Sequence, residues 1–444
     1  MFTKVCVKNF KCFSDLEFDL TDRHGDPKHL IMIYGENGAG KTNIAAIFYA
    51  LMELLRTMNV EDIYRAMLEQ KDEEWFPMAR FGIRDIPAIT KDYRMIDTDG
   101  NILMHFDFKL QEKAGSYEVE FNEDEVVHEK LEFVWEKKKV TYFDFMPDGG
   151  KLRDQLFTDK DLLDDLITQK KKFWGKHLFL SILIHEVRTK SRQYISNSIT
   201  ENFDQVLEFF GNIGGTMHQR EINRQFPRIW ARSSFSLARG RISAERQTSW
   251  LERYREFVKT FFCSINPNIA DVFYKIESED ESFRTYQLYF KKKICGKIRE
   301  IDFSQESTGN QQMLNLLSGL VFAANGGVEI LDEMDSGIHD IAAQKMLTEL
   351  VPALKGQLII TTHNSLLMDC DFAREATYLL TEDEDANRAL KCITESSERI
   401  YQKTNIRNKY ISGTYEGIPE IGKIDFKKLT DIWYDRADSE NTEE

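Results

Sequence analysis

Apolar residues in the first 55 positions fall into three patterns, and each predicts a different element. Val5, Val7 and Phe10 alternate with mostly polar neighbours, and Leu16, Phe18 and Leu20 do the same, so two strands are expected at a sheet edge. His29 to Tyr34 is short and almost wholly apolar, as a strand buried on both faces of a parallel sheet would be. After a glycine-rich stretch, Ile44, Ile47, Leu51 and Leu55 recur at helical spacing and predict a helix from Thr42 to about Leu55.

From Asn101 to Met146 the period changes to two: Met104, Phe106, Phe108; Tyr117, Val119, Phe121; Leu131, Phe133, Trp135; Thr141, Phe143, Phe145. Turns at Asp99-Gly100 and Ala114-Gly115 punctuate it, which predicts an antiparallel sheet. Gly150 to about Ala270 reads as mostly helical and carries most of the arginines, and strands return from Phe283. The expected division is residues 1–147, holding a β lobe, then 148–282 as a helical insertion, then 283–444 as the second half of an α/β unit with a short C-terminal extension. No repeat or long heptad array stands out, so a long coiled-coil arm is not expected.

Composition narrows the class. The 444 residues are 42% hydrophobic and 30% charged, a globular profile. Cys6, Cys12, Cys263, Cys295, Cys370 and Cys392 are scattered without a CxxC pair, which fits a reducing compartment and argues against a zinc site. Cys6 and Cys12 are expected as buried small hydrophobes. The N-terminus lacks a secretory pattern, and the longest apolar run, Leu178–Ile184, is too short to span a bilayer. A cytoplasmic protein without a membrane partner is therefore expected. The net charge of −15 opposes general binding to nucleic acid.

Four motifs carry chemistry. Gly35-Glu-Asn-Gly-Ala-Gly-Lys-Thr42 is a full GxxxxGK[ST] match between a buried strand and an amphipathic helix. Glycines let the backbone wrap phosphates, with amides and the helix N-terminus directed at negative charge. Nucleotide contacts are expected from Gly35, Asn37, Gly38, Ala39, Gly40, Lys41, Thr42 and Asn43, with Lys41 on the β- and γ-phosphates and the Thr42 hydroxyl on Mg²⁺. The strand Gly327–Leu331 ends in Asp332 and Glu333, which suit a Walker B element: Asp332 for the Mg²⁺ shell, Glu333 for the attacking water. Gln357–Thr362 is another buried strand, ending at His363 and Asn364, where a neutral imidazole can reach the γ-phosphate or that water. Ser307-Thr308-Gly309 opens an apolar helix, Leu314–Phe322, and is an anion site by backbone geometry.

These four elements, in this order, resemble the ABC ATPases that include the SMC and RecF proteins, which implies an α/β P-loop NTPase of the ABC-ATPase head type. Ser307-Thr308-Gly309 resembles the ABC signature, Met334-Asp335-Ser336-Gly337 the D-loop, and His363 the switch histidine; Val7–Phe13 resembles the first strand of SMC/RecF heads. Asp332–His339, Thr361–Asn364 and Asn405–Pro419 further resemble the AAA-domain phage-defence ATPases, including the RloA/AbiL type and the ATPase subunits of PARIS systems. Asp340 stands where that family often has proline, and no Q-loop glutamine is assigned. The resemblance implies ATP and Mg²⁺ as cofactors, Asp335 among the nucleotide-binding residues, and a homo-oligomer, at least a head-to-head dimer, in which Ser307 and Gly309 face the γ-phosphate across the interface.

The length after His363 leaves little for a further catalytic domain, so an effector, nuclease or toxin, is expected as a separately encoded protein. Arg220, Arg224, Arg228, Arg232, Arg239, Arg241 and Arg246 lie close together with Phe226, Trp230 and Phe235 between them. The first four recur at helical spacing, interrupted by Pro227. This Arg220–Arg246 region suits nucleic acid, an acidic partner protein or the chain's own carboxylates, and the sequence does not choose. The expected function is a defence ATPase that senses a trigger and controls an effector; the alternatives are a RecF/SMC-like DNA-repair clamp and a transporter motor. The last is disfavoured by the long segment between P-loop and signature.

Overall fold

The computed structural model describes residues 1–62, 84–219, 222–226, 236–243, 247–278, 283–395, 405–415 and 424–440. β1 (Phe2–Phe10), β2 (Phe13–Asp19) and β3 (Leu30–Gly35) lead into the P-loop helix Lys41–Leu54. β4 (Ile102–Leu110), β5 (Lys113–Phe121), β6 (Val126–Trp135), β7 (Lys138–Met146) and β8 (Gly149–Leu152) then join β1 and β2 in an antiparallel sheet, ordered β2-β1-β4-β5-β6-β7-β8 among the described residues. The period-two pattern forms this sheet because every second side chain enters the core: Met104, Phe106 and Phe108 are buried, as are Tyr117, Val119 and Phe121.

The outer face of that sheet carries a charged ladder across strands. His105 Nδ1 lies 2.8 Å from Glu118 Oε2 and His105 Nε2 lies 3.4 Å from Asp107 Oδ1. Hydrogen bonds to Asp107 and Glu118 raise the His105 pKa to about 9 against a partial opposing effect of burial. A raised histidine contributes stability that is fully present below its unfolded pKa of about 6.5 and is lost as pH rises through about 9. The wild-type advantage over His105→Gln in urea unfolding is therefore expected at mildly acidic pH, on the order of 1–2 kcal/mol after screening, and to vanish above about pH 9. An advantage constant with pH would refute this account.

The chain continues through the helices Lys160–Phe173, Phe179–Lys190, Arg192–Ser198 and Glu201–Gly211, then β9 (Ile213–Gln219) and β10 (Ile222–Phe226). β11 (Arg239–Ser243), the helix Gln247–Ile265, β12 (Ile269–Ser278), β13 (Phe283–Ile294) and β14 (Lys297–Asp302) follow. The signature-like helix Thr308–Ala324, β15 (Val328–Leu331), the helix Asp340–Leu350, β16 (Gln357–Thr361), β17 (Thr377–Glu382) and β18 (Arg388–Cys392) complete the core.

The central sheet runs β10-β9-β15-β16-β3-β17-β18, with β9, β15, β16, β3 and β17 mutually parallel and β10 and β18 antiparallel at the edges. Its inner strands β3, β15 and β16 are largely apolar because both faces are covered. Ile31, Ile33, Ile330 and Ile359 pack with the P-loop helix and the β lobe, whereas Met32, Tyr34, Leu331 and Ile360 pack with the signature-like helix and β12–β13. The wholly buried Gln357 ties lobe to core: its Nε2 donates to Phe2 O (2.9 Å) and Lys28 O (3.1 Å), and its Oε1 accepts from Phe2 N (2.8 Å).

Several expectations change here. The 148–282 segment is helical only in part. β9, within it, is a parallel strand of the core, flanked by β15 and backed by the P-loop helix. Its Gly214-Gly215 pair lies in the stretch read as helical, but a Cβ at Gly215 would lie 2.6 Å from Ile330 O and 2.8 Å from the Tyr49 ring, so only glycine fits there. The helical face suggested by Arg220, Arg224, Arg228 and Arg232 does not form across Ile222–Phe226, which is β10. Arg220, Arg228, Trp230, Arg232, Phe235 and Arg246 lie outside the described residues. Cys6 and Cys12 are only partly buried: the Cys6 thiol faces the outer side of the lobe toward Glu17 (3.4 Å), and Cys12 borders the P-loop.

Candidate functional site

The P-loop connects the C-terminal end of β3 to its helix, so the helix's free amides point where the loop closes. Gly38 (φ 88°) and Gly40 (φ 111°) both take left-handed backbone that a side chain would strain. Gly40 is also crowded, since a Cβ there would meet Cys12 Sγ at 2.9 Å. Asn37 and Gly38 are exposed at the loop tip, Ala39 is buried, and Thr42 and Asn43 are half-buried at the first helical turn. Lys41 is buried, and its ammonium donates to Gly35 O (2.8 Å) and Glu36 O (2.9 Å), which holds it over the loop. Burial lowers its pKa, and Glu333, Asp332, Asp335 and Glu36 pull the other way, so the acidic motif faces this lysine.

The acidic motif follows β15. Asp332 is 2% exposed and accepts from the Thr361 hydroxyl (2.7 Å). The same hydroxyl accepts from Glu333 N (2.7 Å), so one side chain on β16 fixes both members of the acid pair. Glu333 has φ 47°, a left-handed conformation that costs a non-glycine residue on the order of 1 kcal/mol. It is held by the Thr361 hydroxyl, by Met334 N donating to Thr361 O (3.2 Å) and by Ser336 N donating to Glu333 O (2.9 Å). Backbone strain at the residue expected to act on water is consistent with placement of its carboxylate by the turn.

Thr361→Val keeps the shape and removes both hydrogen bonds. It is expected to destabilise the fold by about 1–3 kcal/mol in urea unfolding, because a buried carboxylate loses a donor and an amide an acceptor. A difference under about 0.5 kcal/mol would show that this bridge does not hold the turn.

His363 is exposed just beyond β16, with its amide donating to Asp335 Oδ2 (3.3 Å). Burial and the Lys41 charge lower the imidazole pKa, opposed by Asp335 and Glu333, so the ring is largely neutral near pH 7 and able to accept or donate. The next residue, Asn364, is buried: its Nδ2 donates to Asp340 O (2.9 Å) and its carbonyl accepts from Tyr34 OH (3.0 Å). One chain thus brings together Lys41, Asp332, Glu333, Asp335 and His363.

The signature-like turn sits elsewhere on the rim. Ser307 and Thr308 are exposed, and Ser307 caps its helix by accepting from Asn310 N (3.3 Å). Gly309 is pressed on the acidic motif's turn, where a Cβ would meet Gly337 O at 2.8 Å. Behind it the buried Glu306 pairs with Lys292 (2.9 Å) and accepts from Asn310 Nδ2 (2.7 Å). The turn that carries Asp335 is therefore in direct register with the signature-like helix.

Two features escape the sequence. The Thr361 bridge is one; its only signal is a polar residue closing a buried strand. The other is a cleft of about 450 Å³ beside the loop, lined by Lys11, Cys12, Phe13, Met95, Ile96 and Asn387 among others. Arg388 Nη1 donates to Cys12 O (3.0 Å) and joins its two walls. These residues are distant in sequence, and no local pattern links them.

Residues 30–369 match the family described as "AAA domain, putative AbiEii toxin, Type IV TA system". Among curated proteins nothing matches. Solved structures similar in fold include an SMC head bound to the C-winged helix domain of ScpA (11% identity, covering 88% of this chain and 96% of that one, TM-score 0.41). Another is the SMC head domain from Thermotoga maritima (15% identity, 88% and 97%, TM-score 0.36). A third is an Smc head with an extended coiled coil bound to the C-terminal domain of ScpA derived from Pyrococcus furiosus (12%, 88% and 95%, TM-score 0.36).

Proposed function

This chain belongs to the AAA-domain family described as "putative AbiEii toxin, Type IV TA system", and from that premise we propose that it is the ATP-binding and hydrolysing subunit of an anti-phage, abortive-infection-type defence system. The observation that carries the reading is the convergence of Lys41, the Asp332–Glu333 pair, Asp335 and His363 at the mouth of one glycine-rich loop.

The residues fit Mg-ATP. The loop amides and Lys41 form a cationic cradle for phosphates, and the Thr42 hydroxyl and Asp332 carboxylate are hard oxygen donors suited to Mg²⁺. Bound there, the metal would neutralise charge developing on the phosphates. Lys41 would then leave the carbonyls of Gly35 and Glu36 for phosphate oxygens. Glu333, aimed by its left-handed backbone, would orient the attacking water and accept its proton. His363, neutral near pH 7, would hydrogen-bond the same water or the terminal phosphate.

Ser307 and Gly309 present an exposed helix N-terminus, an arrangement able to reach a nucleotide held by a second copy. Two heads would close on ATP, and Gly309 against Gly337 would pass that closure to Asp335 and the acidic turn. Occupancy or turnover would control a separately encoded effector; the family's toxin–antitoxin description supports this part of the reading. Light scattering of Glu333→Gln with and without Mg-ATP tests it: the expected mass rises from one chain of 52.0 kDa toward two or more. An unchanged mass would overturn the head-to-head closure.

A further inference from the structure

The helix Phe426–Glu440 differs from the other long helices in that every residue from Ile424 to Tyr434 is exposed. Phe426 is 71% exposed, Leu429 53%, Ile432 53% and Trp433 77%. Spacings of three and four place these side chains on one stripe. A contiguous apolar stripe of this kind marks an association surface, since water disfavours it on an isolated chain.

The charges say what covers it. The first turn holds Lys427 and Lys428 and no acid; the last turn holds no base. By sequence the helix carries Asp431, Asp435, Asp438 and Glu440 after its lysine pair, against Arg436 alone, so its second half is acidic. This order opposes the helix dipole, which disfavours lysine at the N-terminal end and carboxylates at the C-terminal end. Apart from the Asp425 cap, which accepts from Lys428 N (3.1 Å), a lone helix has the wrong charge at both ends. A second identical helix running antiparallel reverses that: the acidic half of each lies beside the lysine pair and N-terminus of the other.

We propose that the Phe426–Glu440 helices of two copies of this chain pair antiparallel, stripe to stripe, in an isologous contact that needs no nucleotide. A contact of about four turns is far smaller than a standard interface of about 1,600 Å², so the association is weak by itself. Its consequence is effective concentration: within a pair the two heads meet at a local concentration on the order of millimolar, so once the helices have paired nucleotide occupancy decides whether the heads close. The contact itself does not depend on the ATP-site reading.

Light scattering of the nucleotide-free full chain over a concentration series tests the pairing. The wild type is expected to rise from 52.0 kDa toward twice that mass, while Trp433→Glu and Leu429→Glu stay at one chain with the thermal melting of the head unchanged. Charge exchange fixes the direction of pairing. A quadruple variant, Lys427→Glu with Lys428→Glu, Asp435→Lys and Asp438→Lys, should pair with itself but not with the wild type, since antiparallel pairing would then set like charges together at both ends. A wild type that stays at one chain throughout would overturn the proposal and assign the stripe to a different protein. So would a dimer that survives both glutamate variants, or a quadruple variant that pairs with the wild type. Read on Glu333→Gln combined with Trp433→Glu, which cannot pair through this helix, the Mg-ATP rise from one chain is independent of all these outcomes, so the two ideas fail separately.

Discussion

Glu333→Gln is expected to bind Mg-ATP with an affinity within about threefold of wild type while its turnover falls by on the order of 10²–10³. The substitution is nearly isosteric and keeps the hydrogen bonds that set the turn, because those run through backbone atoms: Glu333 N to the Thr361 hydroxyl and Ser336 N to Glu333 O. Lost is the negative charge that can accept a proton from water. Binding and hydrolysis should therefore separate, and the ATP-bound assembly should persist. Filter binding of nucleotide beside phosphate release measures both quantities on one preparation. Equal losses in the two would mean that Glu333 serves the architecture of the loop rather than the water.

The contrast with Thr361→Val sharpens this. Thr361 touches Asp332 and Glu333 at once, so its loss should lower stability as well as turnover. Glu333 is half-buried at the rim, and its neutral substitute should leave stability nearly unchanged.

Much of this site is legible in the chain because its signals are local. A run such as Leu30–Tyr34 has one physical solution, a strand covered on both faces, and glycines at 38 and 40 are required where φ is positive. The period-two stretch after Asn101 likewise fixes an antiparallel sheet, since a shift by one residue would expose every phenylalanine in it. What stays illegible depends on neighbours far along the chain. β9 falls in a stretch that reads as helical because its Gly215 is dictated by Ile330 and Tyr49, residues more than one hundred positions away on either side. Cys6 is in a strand, but which face it occupies follows from register with Glu17. The contact of Gly309 with Gly337 and the double role of Thr361 arise only when strands are laid side by side.

Lys41→Met should lower ATP affinity by at least about 100-fold, roughly 2.7 kcal/mol, while leaving the folded head intact. The methionine keeps the apolar stem and loses the cation. In wild type that cation faces Glu333, Asp332, Asp335 and Glu36, so it offsets four carboxylates at the place where phosphates would bind. Without it the loop presents net negative charge to a polyanion, and neither the loop amides nor the helix N-terminus compensates fully. The same substitution has a second consequence that needs no nucleotide. Lys41 is one of two effects that lower the His363 pKa; Asp335 and Glu333 act to raise it. Burial, the larger of the two, remains, so removing the lysine should shift the imidazole titration upward, toward its ordinary value of about 6.5. Histidine proton chemical shifts followed against pH would read this directly in the nucleotide-free protein. An upward shift with normal ATP affinity would place Lys41 beside the acidic cluster yet outside nucleotide binding. An unshifted titration with lost affinity would mean that His363 does not share the site's field, and its role beside the attacking water would have to be withdrawn.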